Sequence, residues 1–134
     1  MQEREVEARA ALDRGEIELA QAICEQWRQE LPSSAEAFNL AGVVSLLKDN
    51  LPQALSLFER ATELDPTSAK AWSNLGTAGR KAGWDNQRVA SCFRKALTAS
   101  PANDDIRYNL ALALHDQGEN LTALDVMTSL FRDG

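Results

Sequence analysis

The chain contains 134 residues, of which 44% are hydrophobic and 25% are charged. This balance is typical of a folded protein and excludes a disordered chain, which has too few apolar residues to build a core. The formal net charge is −6, from 14 basic and 20 acidic residues. It argues against nucleic acid as the partner, because phosphate binding needs clustered Lys and Arg. A local basic patch stays compatible with this balance.

The cysteine content and the N-terminus bear on the cellular compartment. Cys24 and Cys92 have no paired spacing, which predicts free thiols within helices. No apolar run approaches the roughly 18 residues that a membrane span requires. The first five residues are mostly charged and lead into an Ala-rich helix rather than a signal peptide. We therefore expect a cytoplasmic location without a membrane span. If the chain is a domain excised from a longer protein, its start says nothing about targeting.

Eight helices are predicted, because apolar residues recur at helical spacing and no stretch alternates cleanly enough to be a strand. In chain order they span 3–14, 17–30, 35–48, 52–64, 69–82, 86–99, 104–117 and 120–132. Residues that tolerate left-handed backbone fall at the turn within each pair of helices. These are Gly15, Asp49 with Asn50, Gly83, and Gly118 with Asn120. Connections of two to five residues make neighbouring helices antiparallel.

Three prolines end successive helical hairpins. Pro32, Pro66 and Pro101 lie 34 and then 35 residues apart. A fixed period of this size indicates a repeat array, in which stacked hairpins bury a core that one hairpin could not bury alone. We predict a single domain over 1–134, made of units at approximately 1–34, 35–68, 69–103 and 104–134.

Polar residues after the prolines predict where the next helices begin. The segment from Ser33 to Glu36 fits a capping box. Thr67 with Ser68, and Asn103 with Asp104, offer N-caps for the two helices that follow.

Small and aromatic residues recur at matching offsets in successive units. The second unit carries Phe38, Ala41, Gly42, Ala54, Phe58, Ala61 and Pro66, and the third carries Trp72, Leu75, Gly76, Phe93, Ala96 and Pro101. This pattern resembles the tetratricopeptide repeat (TPR) family, whose unit favours an aromatic, Leu-Gly, Ala, an aromatic, Ala and Pro at fixed offsets. The resemblance implies an all-α fold: a right-handed α-solenoid, or alpha-alpha superhelix, of about four antiparallel helix-turn-helix units.

Two departures from the repeat predict local irregularities. The third unit has one extra residue within the segment from Trp84 to Arg88, so its turn should be longer, with Trp84 packed over it. Trp27 stands where the next units have Ala61 and Ala96, a position that is tight for an indole. We therefore expect the first hairpin to be splayed or irregular.

The resemblance also implies a binding surface, because the first helices of TPR hairpins line a concave groove that holds peptides. The residues predicted to line this groove are Asn39, Val43, Leu46, Lys70, Ser73, Asn74, Thr77, Lys81, Tyr108, Asn109 and Leu112. The same repeat offsets also direct Glu36, Leu47, Arg80, Asp105, His115 and Asp116 toward it. Asn74 and Asn109 hold the same place in successive units. Their amides could pair with the backbone of an extended ligand or bond within the helical stack, and both alternatives stay open.

The predicted function is a non-catalytic protein–protein interaction module that binds a peptide or protein segment as an adaptor, scaffold or co-chaperone-like assembly factor. Some family members clamp a C-terminal carboxylate, but Asp105 puts a negative charge where that clamp needs a cation. The single histidine, His115, has no nucleophile at a catalytic spacing. No phosphate-binding loop or zinc-spaced Cys/His set is present. We predict no enzyme activity and no cofactor.

Two alternatives stay open at this point. The chain could be an assembly protein that forms homo-oligomers through its end units, with Trp27, Met127, Leu130 or Phe131 at the contact. It could also be a TPR targeting domain cut from a larger enzyme. Concentration-dependent mass tests the first alternative, and the native reading frame beyond Gly134 tests the second.

Overall fold

The computed structural model describes residues 3–116, which form seven α-helices and no strands. The helices are α1 (Glu3–Asp13), α2 (Ile17–Glu30), α3 (Ala35–Leu47), α4 (Leu51–Leu64), α5 (Ala69–Lys81), α6 (Asn86–Ala99) and α7 (Asp104–Asp116). The predicted all-α class is confirmed, and each helix boundary lies within one residue of its prediction. The eighth predicted helix, 120–132, lies outside the described residues.

Most of the described helices begin at a polar residue whose side chain accepts a hydrogen bond from the first turn. Ser34 and Ser68 accept from the backbone N–H groups of Ala37 and Ala71, at 3.2 and 3.1 Å. Because Ser34 and not Ser33 is the cap, Glu36 is the second residue of α3 and does not occupy the third position that a capping box requires. The predicted N-cap is therefore present, but the predicted capping box is not.

The turn inside each hairpin uses one residue with left-handed backbone. Gly15, Asp49 and Gly83 have φ angles of 77°, 59° and 82°, and they lie 34 residues apart. The first three predicted turn positions are confirmed, and the fourth, at 118–120, lies outside the described residues. Asp49 is the one residue of the three with a Cβ, so its turn carries a backbone cost that glycine avoids.

The described residues belong to two compact units, which meet in sequence between Pro66 and Thr67. In the first unit α1, α2, α3 and α4 pack in chain order, each on the next. In the second unit α5 packs on α6, and α6 packs on α7. Each unit has its own core, built mainly from alanine and a few large apolar side chains.

A glycine on one helix packs against a phenylalanine ring on the other helix in the second and third hairpins. In the first unit, Gly42 on α3 lies against the ring of Phe58 on α4. In the second unit, Gly76 on α5 lies against the ring of Phe93 on α6 in the same way. Both rings are essentially fully buried. The missing Cβ therefore allows the two helices of each hairpin to approach closely.

The first hairpin has different residues at the positions where its two helices pack together. At the repeat positions of Gly42 and Phe58 it has Ala8 and Cys24, both in the core of the first unit. The aromatic side chain stands one helical turn later, at Trp27, which is 1% exposed. The first hairpin therefore differs from the next two in the sizes of its facing side chains. Its helices α1 and α2 are both regular, so the expected irregularity is absent from the helices themselves, and the expected splaying stays a prediction. Two polar atoms, Nε1 of Trp27 and Nε of Arg28, are buried there without a hydrogen-bond partner among the described residues.

The turn of the third hairpin is longer by one residue. Residues 82–85 separate α5 from α6, whereas three residues separate the helices of the first two hairpins. Trp84 lies over Gly79, where a Cβ would come within 2.7 Å of the indole Cδ2. The guanidinium of Arg88 covers the ring of Trp84 at 3.5 Å. The predicted longer turn and the packing of Trp84 over it are both present.

Candidate functional site

The N-terminal parts of α5 and α7 line an open cavity of about 340 Å³ in the second unit. We call it the α5–α7 cavity. Its lining consists of Ala69, Lys70, Ser73, Asn74, Asn103, Asp105 and Ile106. Lys70 is the second residue of α5 and Asp105 is the second residue of α7, so the two charges occupy the same repeat position. The cavity therefore presents one cation and one anion from equivalent places on two helices.

The N-terminal end of α7 is held by local hydrogen bonds. Oδ1 of Asn103 accepts from the backbone N–H of Ile106 at 3.1 Å. Nη2 of Arg107 donates to the carbonyl oxygen of Pro101 at 2.6 Å, and its Nη1 lies 3.9 Å from the carboxylate of Asp104. These contacts hold the segment before α7 against its first turn. The wall that carries Asp105 is therefore ordered by bonds within the protein.

Lys70 and Asp105 are both exposed, and the described part of the chain supplies neither of them with a hydrogen bond or an ion pair. Ser73 is half-buried, and its hydroxyl has no partner within the same residues. Ile106, at 3% exposure, closes the bottom of the cavity with an apolar surface. The site thus combines a small apolar floor with polar groups that are available to a ligand.

The α5–α7 cavity brings together four of the predicted groove residues: Lys70, Ser73, Asn74 and Asp105. Other predicted residues of the same unit lie elsewhere on their helices, namely Thr77, Lys81, Tyr108, Asn109 and Leu112. The hydroxyl of Thr77 donates to the carbonyl of Ser73 at 3.0 Å, so it is engaged within its own helix. Tyr108 is 50% exposed. Asn74 makes further contacts of its own, so binding and structural roles for its amide both stay open.

The predicted groove residues of the first unit lie on α3 and are less accessible. Asn39 is 5% exposed and has contacts within the protein. Val43 packs against the core of the first unit, and Leu46 is half-buried. The expectation that these side chains line an open groove therefore needs correction at Asn39, because its amide is almost fully covered in the folded chain.

Of the residues predicted for self-association, only Trp27 lies within the described residues. Trp27 is part of the core of the first unit, so it offers no surface to a second copy, and this part of the expectation is corrected. Its burial follows from the small neighbours on α1, Ala8 and Ala11, which leave room for an indole. Met127, Leu130 and Phe131 lie outside the described residues, so their predicted role stays a prediction.

Three lining residues, Ala69, Asn103 and Ile106, were not among the predicted groove residues. Asn103 was predicted only as a helix cap, and no role was predicted for Ala69 or Ile106. The signal that could have identified them is their place beside Lys70 or Asp105, since a cavity at the start of a helix takes part of its lining from the cap and the first turn. That inference requires knowing that α5 and α7 meet at these ends.

Two other reactive side chains, Cys24 and His115, lie outside the α5–α7 cavity. Cys24 is 1% exposed, and burial raises the pKa of its thiol from 9.0 to about 11. His115 is exposed near the end of α7. Across residues 3–116 there is no group of three or more His, Cys, Asp and Glu side chains that could hold a metal ion. Within the same range, no helix has both the length and the apolar character needed to cross a membrane.

Comparison with solved structures identifies the fold. The structure of MamA superposes with a TM-score of 0.85 and 19% sequence identity, covering 94% of this chain and 73% of that one. The structure of YrrB, described as a TPR protein with an unusual peptide-binding site, gives a TM-score of 0.82 and 21% identity. It covers 94% of this chain and 64% of that one. At these identities the likeness shows the fold.

Two curated proteins of Saccharomyces cerevisiae are similar in sequence. Superkiller protein 3 is 28% identical over 109 residues, which is 81% of this chain and 8% of that protein. Essential for maintenance of the cell wall protein 1 is 32% identical over 110 residues, or 78% of this chain and 12% of that protein. The chain therefore spans only a small part of the length of the curated relatives that it matches.

Antiparallel hairpins with a 34- to 35-residue period, each stacked on the next within a unit, define a helical-repeat protein. Two family models, both described as tetratricopeptide repeat, match residues 6–69 and 92–125. The chain belongs to the tetratricopeptide repeat family. This family's fold is generally a protein-interaction fold, whose members bind proteins or peptides.

Proposed function

We propose that the chain is a non-catalytic module that binds an extended peptide segment of a partner protein in the α5–α7 cavity. The observation that carries this proposal is the set of uncommitted polar side chains, Lys70, Ser73 and Asp105, that line one open cavity. Such groups find hydrogen-bond partners in a peptide, whose backbone offers donors and acceptors at every residue. A role as an adaptor, scaffold or co-chaperone-like assembly factor follows from holding such a segment.

The support for a binding role is the rigidity of the walls. Lys70 and Ser73 stand on α5, which is capped by Ser68, and Asp105 stands on α7, whose start is held by Asn103. A surface that is ordered before binding loses little conformational entropy when the ligand arrives. The net charge of −6 favours a protein over a nucleic acid as the ligand. A cytoplasmic location is proposed from the composition alone.

Selection from a displayed library of random linear ten-residue peptides tests this function. We expect the wild-type chain to enrich peptides, and Ser73→Arg to weaken binding of an enriched peptide at least tenfold by filling the α5–α7 cavity. Ser56→Arg is the matched control, because Ser56 is exposed on α4 in the other unit. Absence of enrichment, or equal binding by wild type and Ser73→Arg, would contradict the proposal.

A further inference from the structure

The two charges in the α5–α7 cavity differ from the charges around them. Arg107 and Asp104, which flank the same helix start, are paired with each other, and Arg107 also binds the carbonyl of Pro101. On α6, the ammonium group of Lys95 lies 4.4 Å from the centre of the Trp72 ring. By contrast, Lys70 and Asp105 have no such partner within the part of the chain that the structure describes. Two opposite charges in the lining of one cavity thus stay available to a ligand.

The shallow lining of the α5–α7 cavity suits an extended peptide segment. Ile106 and Ala69 form the apolar part of the lining, and Ile106 is almost fully covered. This surface can support the aliphatic stem of a side chain but leaves no deep pocket for a large apolar group. Oδ1 of Asn103 is already bonded to the N–H of Ile106, so the group that this side chain can still offer to a ligand is its NH₂ donor.

We infer that the α5–α7 cavity selects peptide segments that carry one acidic and one basic side chain, with the acid at Lys70 and the base at Asp105. The inference rests on the proposed peptide-binding function and specifies its ligand. In an extended segment alternate side chains point to the same side, about 6.8 Å apart for every second residue. An acid and a base at alternate positions are therefore both directed at the helices.

Charge complementarity also defines what this site rejects. A segment with two acids places one of them against Asp105, and a segment with two bases places one against Lys70. Like charges at close range oppose binding, and this opposition contributes to specificity more than exposed ion pairs contribute to affinity. The order of the two charges along the peptide is therefore as important as their presence.

The charge-swapped variant Lys70→Asp/Asp105→Lys tests the inference directly. Both residues are exposed, so the swap keeps the fold and the net charge while reversing the direction of the local field. The same displayed library is selected on wild type, on the swapped variant and on the control Arg60→Glu/Glu63→Arg. The control reverses an exposed ion pair on α4 in the other unit. Circular dichroism and thermal melting verify that all three proteins fold alike.

We expect wild type and control to enrich the same order of acid and base, and the swapped variant to enrich the reverse order. With an enriched peptide, Lys70→Gln and Asp105→Asn should each raise the Kd roughly two- to fivefold, as for exposed ion pairs. High salt should reduce this difference. Enriched peptides without the charge pair, or the same order for wild type and swapped variant, would overturn the inference and leave peptide binding intact. Absence of any enrichment by wild type would overturn the proposed function as well.

Discussion

A Cβ atom on Gly42 would lie 2.6 Å from Cδ1 of Phe58 and closer still to Cε1. The same relationship between Gly76 and Phe93 is slightly looser, since a Cβ there would lie 2.9 Å from Cζ. Both phenylalanine rings are buried and cannot turn away into solvent. The contact between a glycine backbone and an aromatic ring therefore sets the closest approach of the two helices in each hairpin.

We predict that the added methyl group of Gly42→Ala costs about 1–3 kcal/mol, the range for overpacked cores. Alanine recovers roughly 1 kcal/mol through its higher helix propensity, so the free energy of unfolding should fall by up to about 2 kcal/mol. Gly76→Ala should cost less, because its clash is milder. Urea unfolding of both variants measures the difference. A stabilising Gly42→Ala, or a larger loss at Gly76, would contradict the packing relationship. Phe58→Leu should relieve part of the cost of Gly42→Ala when the two are combined.

Substitutions can move the buried aromatic side chain of the first hairpin from position 27 to position 24. Trp27→Ala alone should destabilise the protein by about 3–5 kcal/mol, as for other large buried aromatics. The triple variant Ala8→Gly/Cys24→Phe/Trp27→Ala reproduces the arrangement of Gly42, Phe58 and Ala61, and we expect it to recover most of that loss. The free energies of unfolding of the single and triple variants give the coupling. Additive losses from the three changes would show that the sites are independent.

Substitutions at two of the left-handed turn positions should change the free energy of unfolding in opposite directions. Asp49→Gly should raise the free energy of unfolding by about 0.5–1 kcal/mol, because glycine adopts this backbone without steric cost. Gly83→Ala should lower it by about 1–2 kcal/mol. No atom lies within 4 Å of a Cβ at Gly83, so the loss reflects backbone strain alone. Ala82→Gly is the control and should not stabilise, since Ala82 has right-handed backbone. Thermal melting distinguishes these outcomes.

The buried thiol of Cys24 should react slowly with iodoacetamide. At pH 8 a rise in pKa from 9.0 to about 11 reduces the thiolate fraction about 100-fold. Because the folded-state pKa is raised, its contribution to stability is present below pH 9 and is lost as the pH rises toward 11. Mass spectrometry of Cys92→Ala, in which Cys24 is the remaining cysteine, measures the alkylation rate. A rate in buffer equal to that in urea would contradict this prediction.

The helices could be predicted from the sequence because their signals are local. A periodic apolar face, a cap such as Ser34 and a turn residue such as Gly15 act within a few residues of the place they specify. The left-handed turns at Asp49 and Gly83 follow for the same reason. Repetition strengthened each signal, since every unit presents the same pattern again.

The candidate site was only partly predictable, because it depends on contacts between helices. Lys70, Ser73 and Asn74 were expected to face a ligand, and they do line one cavity. Asn39 was expected to do the same but is buried, because its exposure depends on neighbours that no local pattern specifies. The roles of Asn74 and Asn109 likewise depend on partners from elsewhere in the fold.

From the sequence alone it could be determined that this is an all-α repeat protein with hairpin turns near residues 15, 49 and 83. Local backbone preference and apolar periodicity are sufficient for that. Only the tertiary structure decided that Trp27 belongs to the core and that Lys70 and Asp105 share an open cavity. The physical reason is that burial and unpaired charge depend on which side chains from other helices fill the surrounding space.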